Sequence, residues 1–408
     1  MAQPHPLYTK FRTKAQKARQ SGDLEAGERY LLAAAGVAAE KCPDFVPEVT
    51  NELAYVYAGS ERWDEAIALY RQMGAEDQVA RTLERRGDYE AAEEVRRALL
   101  ARHEQEPGPH LHDLRQSMHD LAALLHTVGR YDEAETLLKR LIALHEEHQG
   151  RVRGAPTATP PESDPDGEST WVSPPFQKLA RVYEDQGRYA HALPLIRQAL
   201  ERTPEVGLMA HLAWLYEITD DLEEAEAATL QSLEMLDEKQ GEPMAATFLH
   251  ALGAIAEQRG DEGEAEAMYR EVLDSSLGEH PQSGAAIRAD LGRVLHKQHE
   301  HEEAEALLRD VLAAPHLLSP LELAMAMEVR ARVLRKLDRP EDAEAEAREA
   351  EAVIRAWEGG EFEASPEVIS PMDWWAHRLA RVGHETLAVR VKAIASALRS
   401  QAMAQMAD

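Results

Sequence analysis

The chain has 408 residues, a net charge of −29 and a single cysteine, Cys42. One cysteine excludes a disulfide framework and a cage of several cysteines around a metal. The acidic balance disfavours non-specific binding to nucleic acid or to an anionic membrane, and no stretch is apolar enough for a signal peptide or a membrane span. We therefore expect a cytoplasmic protein without a membrane partner.

Aromatic residues make up only 5% of the chain, and phenylalanine occurs five times. A globular core of this size normally contains more large apolar side chains. Stacked helix pairs need fewer, because each pair buries only its contacts with the neighbouring pairs. The composition therefore favours a repeat protein over one large globular domain.

A small residue recurs in the second helix of each predicted helix pair. Ten positions carry it, in chain order: Gly27, Ala66, Ala92, Ala134, Ala192, Ala225, Ala265, Ala304, Ala343 and Ala388. The first helix carries a Leu followed by Ala or Gly, as in Leu252-Gly253 and Leu291-Gly292. Small side chains at both places let the two backbones of a pair come close together.

Glycines mark the predicted turns between the two helices of several pairs. They are Gly22, Gly87, Gly129, Gly187 and Gly260. Glycine suits the end of a helix because it adopts left-handed backbone angles without penalty. The sequence therefore predicts a series of tight helical hairpins.

The pattern is complete in one unit, which reads Phe176-x2-Leu179-Ala180-x2-Tyr183, then Gly187-x-Tyr189-x2-Ala192-x3-Ile196, with Pro204 closing the unit. It resembles the tetratricopeptide repeat family, whose units are helix–turn–helix repeats of about 34 residues. The resemblance covers roughly residues 8–395. It implies an all-α fold, a right-handed superhelical solenoid of helix hairpins, and a protein that binds protein partners.

The spacing between the small residues varies. It is 39 residues from Gly27 to Ala66, from Ala265 to Ala304 and from Ala304 to Ala343. These units resemble the longer repeats of kinesin light chains, and their extra residues are predicted to lengthen helices or connections. The spacing from Ala66 to Ala92 is only 26 residues, which predicts a truncated unit with a break near Met73-Gly74.

One long gap divides the repeats. Residues 149–175 are rich in Pro, Ser, Thr, Asp and Gly, which predicts a flexible insertion. It separates residues 1–148, with about four units, from residues 176–408, with about six units including a helical cap. Two interpretations of the insertion remain open, a regulatory or docking segment and an unselected loop. Near the C-terminus, residues 365–371 predict an interruption, after which Trp374-Trp375 begins a helix.

Sequence motifs for catalysis are absent. There is no phosphate-binding loop, no nucleophile elbow and no dinucleotide-binding glycine pattern. Two histidine clusters, His145 with His148 and His296 with His299 and His301, are predicted to be solvated helix ends rather than metal sites. We therefore predict a protein that is not an enzyme and that holds no cofactor and no metal.

In the architecture that the resemblance implies, first helices line a concave groove and second helices face outward. The second helices carry most of the acidic runs, whereas the groove positions are mostly basic or aromatic. The groove candidates are Asn51, Tyr55, Arg81, Arg181, Trp214, Arg293, His296, Lys297, Arg332, Arg335, Lys336 and Arg381. A basic groove predicts an acidic or C-terminal peptide segment, or the acidic face of a partner protein, as its ligand.

Two interpretations of the groove arginines remain open. They bind an external acidic partner, or they pair internally with carboxylates such as Glu184, Asp185 and Glu328. The predicted function is a protein interaction scaffold or adaptor. The alternative is a peptide- or ligand-responsive regulator of a partner protein, and nucleic-acid binding is a weaker third hypothesis.

Overall fold

The structure is a computed structural model that describes residues 3–105, 111–153, 174–236, 241–360, 362 and 366–405. Within these residues the chain forms twenty-one α-helices and no strand. The helices group into two compact units, residues 1–156 (unit 1) and residues 157–408 (unit 2). Each unit is a stack of helix hairpins around its own buried apolar clusters.

Unit 1 contains four hairpins. Their helices are Pro6–Gln20 (α1) and Leu24–Lys41 (α2), Val46–Gly59 (α3) and Trp63–Gln72 (α4), Glu76–Arg86 (α5) and Tyr89–Gln105 (α6), and Leu111–Thr127 (α7) and Tyr131–Arg153 (α8). The second helix of each hairpin also packs on the first helix of the next one. The core therefore continues from hairpin to hairpin, as in a solenoid.

Unit 2 contains six hairpins and one additional short helix. Its helices are Pro174–Asp185 (α9), Tyr189–Arg202 (α10), Val206–Ile218 (α11), Leu222–Glu234 (α12), Gly241–Arg259 (α13), Glu262–Leu273 (α14), Ser276–Glu279 (α15), Pro281–Lys297 (α16), His301–Leu312 (α17), Pro320–Lys336 (α18), Pro340–Glu358 (α19), Pro366–Arg381 (α20) and Glu385–Gln405 (α21). The pairs are α9–α10, α11–α12, α13–α14, α16–α17, α18–α19 and α20–α21. The all-helical solenoid of hairpins that the sequence predicts is therefore confirmed.

The ten small residues all lie in second helices and are all buried. Two first-helix glycines show why the position must stay small. A Cβ added at Gly253 would lie 2.7 Å from Cε1 of Tyr269, and one at Gly292 would lie 2.8 Å from Cγ of Leu308. These distances are shorter than carbon atoms tolerate, so the close approach of the paired helices depends on glycine.

Each of the ten hairpin turns contains one residue with a left-handed backbone. Six turns use glycine, namely Gly22, Gly87, Gly129, Gly187, Gly260 and Gly383. The other four use Glu61, Asp220, His299 and Asp338, at φ angles between 57° and 71°. The same turn geometry therefore recurs even in turns whose sequence contains no glycine at this position.

The extra residues of the 39-residue units form short helical segments between hairpins. These segments are a 3-10 turn at Pro43–Phe45, helix α15, and a 3-10 turn at Pro315–Leu317. In the truncated unit, α4 ends at Gln72, Gly74 takes a φ of +66°, and α5 begins at Glu76. The predicted break near Met73-Gly74 is therefore confirmed.

Helix α8 continues to Arg153, five residues into the predicted insertion, and residues 154–173 lie outside the described residues. The three-part division at residues 148 and 175 stays a prediction, as does the right-handed sense of the superhelix. The predicted interruption before Trp374 is wrong, because α20 begins at Pro366 and runs through Pro371. Met372, the residue after Pro371, is buried in an apolar cluster that also contains residues of α18 and α21.

Candidate functional site

In unit 2 the first helices of neighbouring hairpins are joined side by side by polar contacts. The contacts are Glu184 Oε1 with His211 Nε2 (2.9 Å), Glu217 Oε1 with Gln258 Nε2 (2.7 Å), Glu257 Oε1 with Arg293 Nε (2.6 Å) and Asp290 Oδ2 with His250 Nε2 (3.0 Å). They connect α9, α11, α13 and α16 in order. We call the surface of these helices and of α18 the first-helix face.

Helix α20 lies against the first-helix face. Its contacts are Asp373 with the hydroxyl of Tyr189 (2.8 Å), His377 with the backbone of Glu217, Arg378 with Asp290 (3.0 Å) and Arg381 with Asp220. A helix of 16 residues is about 24 Å long. It can contact the first, second and fourth hairpins only if the stack curves around it, so the sixth hairpin fills the inner side of unit 2.

A buried network of charges fixes this arrangement. Arg293 donates to both oxygens of Glu257, at 2.6 and 2.7 Å, and to Asp290 at 2.6 Å. Asp290 also accepts from Nη2 of Arg378. Burial alone would raise the pKa of Asp290, but the charges of Arg378 and Arg293 hold that pKa well below its usual range. All four groups are therefore charged inside the unit.

The placement of Arg293 corrects the sequence analysis. Only 3% of the residue is exposed, and its guanidinium is taken up by two carboxylates of the first-helix face. A buried charge requires such partners, because the cost of desolvation is otherwise several kcal/mol. The prediction that Arg293 lines an open groove is wrong, and for this residue the internal ion pair is the correct interpretation.

Two further candidates take part in the packing of the inner side. Trp214 is half-buried, with its ring edge-on to the ring of Tyr189 at a centroid distance of 5.7 Å. Arg381 is more exposed but pairs with Asp220 of the second hairpin. Both residues therefore lie where the sixth hairpin meets the beginning of unit 2.

Five candidates come together at one margin of the first-helix face, near the C-terminal ends of α16 and α18. They are His296, Lys297, Arg332, Arg335 and Lys336, and we call them the basic edge. Lys297 lies 3.3 Å from Glu257, and Arg332 lies 3.6 Å from Glu328. Arg335 and Lys336 are exposed, and within the described residues neither makes an ion pair or a hydrogen bond.

The pKa of His296 is lowered by its surroundings at the basic edge. Burial, and after it the charges of His301, Arg332, Lys336 and His299, together lower the pKa of its imidazole to about 4. The ring centroids of His296 and His301 are 5.1 Å apart. At neutral pH the imidazole of His296 is therefore neutral, and its surroundings would favour an anion rather than another cation.

The remaining candidates are separate from the basic edge. Arg181 is exposed on α9, without an ion pair or hydrogen bond in the part of the chain that the structure describes. In unit 1, Arg81 is exposed and pairs with Asp77 at 3.0 Å. Tyr55 is 57% exposed beneath the guanidinium of Arg19, and Asn51 is exposed on the same helix.

Comparison with known proteins matches the hairpins to a family. Family models described as tetratricopeptide repeat match residues 74–147, 178–240, 243–315 and 324–349, more than half of the chain. The chain belongs to the tetratricopeptide repeat family. Proteins of this family bind protein or peptide partners, and the chain is accordingly a protein interaction scaffold. No curated protein matches the sequence.

Solved structures of other repeat proteins are similar in fold. The apo form of RapI is 10% identical, with coverage of 86% of this chain and 99% of that one, and a TM-score of 0.50. A kinesin light chain with tetratricopeptide-like repeats from Podospora anserina is 21% identical, with 48% and 93% coverage and a TM-score of 0.36. YrrB, described as having an unusual peptide-binding site, is 15% identical, with 46% and 89% coverage and a TM-score of 0.34.

Two carboxylates on the first helices, Glu217 and Glu257, are residues that the sequence analysis missed in this tetratricopeptide repeat protein, whereas Glu184 was named as a possible internal partner. Glu184, Glu217 and Glu257 each stand five residues after the Leu that precedes the small residue of the first helix. All three are buried on the first-helix face. The repetition of Glu at one position of three consecutive repeats was a signal that acidic side chains share the inner side with the arginines.

Only part of the two histidine clusters lies within the described residues. Among the described residues, no group of three or more His, Cys, Asp or Glu side chains is arranged to hold a metal ion. His145 is buried rather than solvated, and the side chain of His148 lies outside the described residues. Of the helices that the structure describes, none has both the length and the apolar character needed to span a membrane.

Proposed function

We propose that this tetratricopeptide repeat protein is a non-enzymatic scaffold or adaptor that binds an acidic segment of a partner protein at the basic edge. Binding without catalysis is the usual role of the family. A cytoplasmic location is consistent with the lone cysteine, since Cys42 is a free and buried thiol.

One observation carries the proposal, the local surplus of positive charge at the basic edge. The chain has 74 acidic and 45 basic residues, so most cations are expected to find a carboxylate nearby. Arg335 and Lys336 are exposed and make no ion pair in the described residues, and the charge of Lys336 is one of those that lower the pKa of His296. A carboxylate from a partner would supply the missing negative charge and form charge-assisted hydrogen bonds.

The surface beside the basic edge has room for an extended segment. Arg335 lines two adjoining depressions, of about 620 and 390 Å³. The larger one also contains Arg348 and Arg355, whereas Arg332 lines the smaller one. Four arginines therefore follow one path across α18 and α19, with Glu328, Glu344, Glu351 and Glu385 between them. Cations spaced along a path favour a peptide with several acidic side chains over a single anion.

A charge reversal tests the proposal. The double variant Arg335→Glu/Lys336→Glu should bind a fluorescein-labelled deca-glutamate peptide about tenfold more weakly or worse, measured by fluorescence anisotropy at low and physiological salt. The matched control is Arg71→Glu/Arg102→Glu. These two arginines are also exposed in last turns of helices, so net charge and helix dipole change equally. Equal affinities of the two double variants would contradict the proposal.

The alternative function, a peptide- or ligand-responsive regulator, is favoured by the closure of unit 2. Between the first and sixth hairpins the polar contacts are side-chain contacts such as that of Tyr189 with Asp373. A ligand that bound between these hairpins would change how tightly the unit closes and thereby which surfaces a partner meets. Small-angle scattering of the full chain with and without the deca-glutamate peptide separates the alternatives, because a scaffold is expected to keep its dimensions.

A further inference from the structure

A cavity of about 220 Å³ lies between α16, α18 and α20 in unit 2. Apolar side chains including Ala289, Met325 and Val329 form part of its wall, and Trp374, Trp375 and Arg378 enter from α20. The two indoles are half-buried, so the wall formed by α20 reaches solvent. No residue of the basic edge lines this cavity.

Two buried N–H groups of this wall have no acceptor. They are Nε1 of Trp374 and Nε of Arg378, which remain without a hydrogen-bond partner in the described residues. The two residues are four apart on α20 and therefore lie on the same side of the helix. A buried donor without a partner costs roughly 1–3 kcal/mol, so an acceptor that reached both N–H groups from the cavity would stabilise this wall.

The carboxylates nearby are already engaged. Asp290 accepts from Arg293, from Nη2 of Arg378 and from His250, and Glu257 accepts from Arg293. At the rim, Glu322 accepts from the backbone of Ser319 in a helix-capping pair. In the wall of the cavity the guanidiniums of Arg293 and Arg378 are balanced by the carboxylates of Asp290 and Glu322, and these carboxylates leave the two orphaned N–H groups without an acceptor.

We propose that this cavity binds a small apolar monocarboxylic acid, whose carboxylate accepts hydrogen bonds from Trp374 Nε1 and Arg378 Nε. The apolar body of the acid would contact the alanine, methionine and valine side chains of α16 and α18. The site is independent of the proposed binding of an acidic partner segment, because the two sites share no residue.

The test is isothermal titration calorimetry of the full chain with benzoate, phenylacetate and hexanoate, with benzyl alcohol as the uncharged control. At least one acid should bind, and benzyl alcohol should bind much more weakly. The variant Trp374→Phe keeps an aromatic ring but removes the orphaned N–H, so it should lose about tenfold in affinity or more for that acid. Trp375→Phe is the matched control, since its ring lines the same cavity and its indole N–H is not among the orphaned donors.

Three outcomes would overturn the proposal: no acid binds to the folded chain, the acids and the alcohol bind equally, or the two tryptophan variants bind equally. Circular dichroism establishes that both variants are folded. The variant Arg335→Glu/Lys336→Glu should bind the acid as the unaltered chain does, and Trp374→Phe should bind the deca-glutamate peptide normally. Failure of one proposal is therefore distinguishable from failure of the other.

Discussion

At the scale of single residues, the inner side of unit 2 depends on charges that neutralise one another. Arg293 is enclosed by Glu257 and Asp290, and Arg378 reaches Asp290 from the sixth hairpin. The repeat pattern was sufficient to place Arg293 on the face that the first helices form. Its partners were not, because the pairing depends on which first helices become neighbours and on the position of α20.

Glu257→Gln tests the buried network. The substitution keeps the shape of the side chain but leaves the charge of Arg293 only partly compensated, so the free energy of unfolding should fall by about 3 kcal/mol or more. Urea denaturation of the full chain measures it. Glu223→Gln on α12 is the control, because this side chain is exposed and the change should stay within about 0.5 kcal/mol. Equal effects of the two substitutions would show that the ion pair of Glu257 with Arg293 contributes nothing to the free energy of unfolding.

The lowered pKa of His296 predicts a dependence of stability on pH. Its imidazole has a pKa of about 4 in the folded chain and about 6.5 when unfolded. Between these values the unfolded state binds the proton and the folded state does not, so stability falls as pH decreases from about 6.5 to 4. The variant His296→Gln should therefore lose less stability between pH 7 and 5 than the unaltered chain, measured by urea midpoints. An identical loss would contradict this assignment.

At the scale of elements, the hairpin is the unit that local sequence determines. The small residues, the turn glycines and the break near Gly74 are signals within about 40 residues of each other, and the structure confirms them. The four turns at Glu61, Asp220, His299 and Asp338 have no glycine, yet they adopt the same geometry. There the packing of the two helices imposes the turn, and a local rule for turn residues is not sufficient to find it.

Two glycines of the first hairpin provide a matched test of this geometry. Gly22 has a φ of +80° in the turn, whereas Gly36 lies exposed inside α2, and an added Cβ meets no atom within 4 Å at either position. Gly22→Ala should destabilise the chain by about 1 kcal/mol through backbone strain. Gly36→Ala should stabilise it by up to about 1 kcal/mol, because alanine is the better helix former.

Thermal unfolding measures the stability of the full chain with each of the two substitutions in the first hairpin. Opposite signs are expected from the same chemical substitution. The same sign for both would mean that the left-handed turn is not what limits the stability of the hairpin.

At the scale of the whole molecule, the sequence predicts a chain of hairpins but not how unit 2 closes. Closure depends on the sum of small rotations between successive hairpins, and it is stabilised by contacts such as Tyr189 with Asp373, 184 residues apart. No pattern in one repeat carries that information. As a result the predicted groove is filled by the chain's own sixth hairpin, and of the groove candidates the basic edge is where several come together at the surface.

The central claim, that an acidic partner segment binds at the basic edge, is tested most directly by hydrogen exchange. The full chain is measured with and without the deca-glutamate peptide at physiological salt. We predict slower exchange at the C-terminal ends of α16 and α18, around residues 294–301 and 330–337, and no change on α3 and α5. Slower exchange confined to α3 and α5, or none at the basic edge under saturating peptide, would contradict the account.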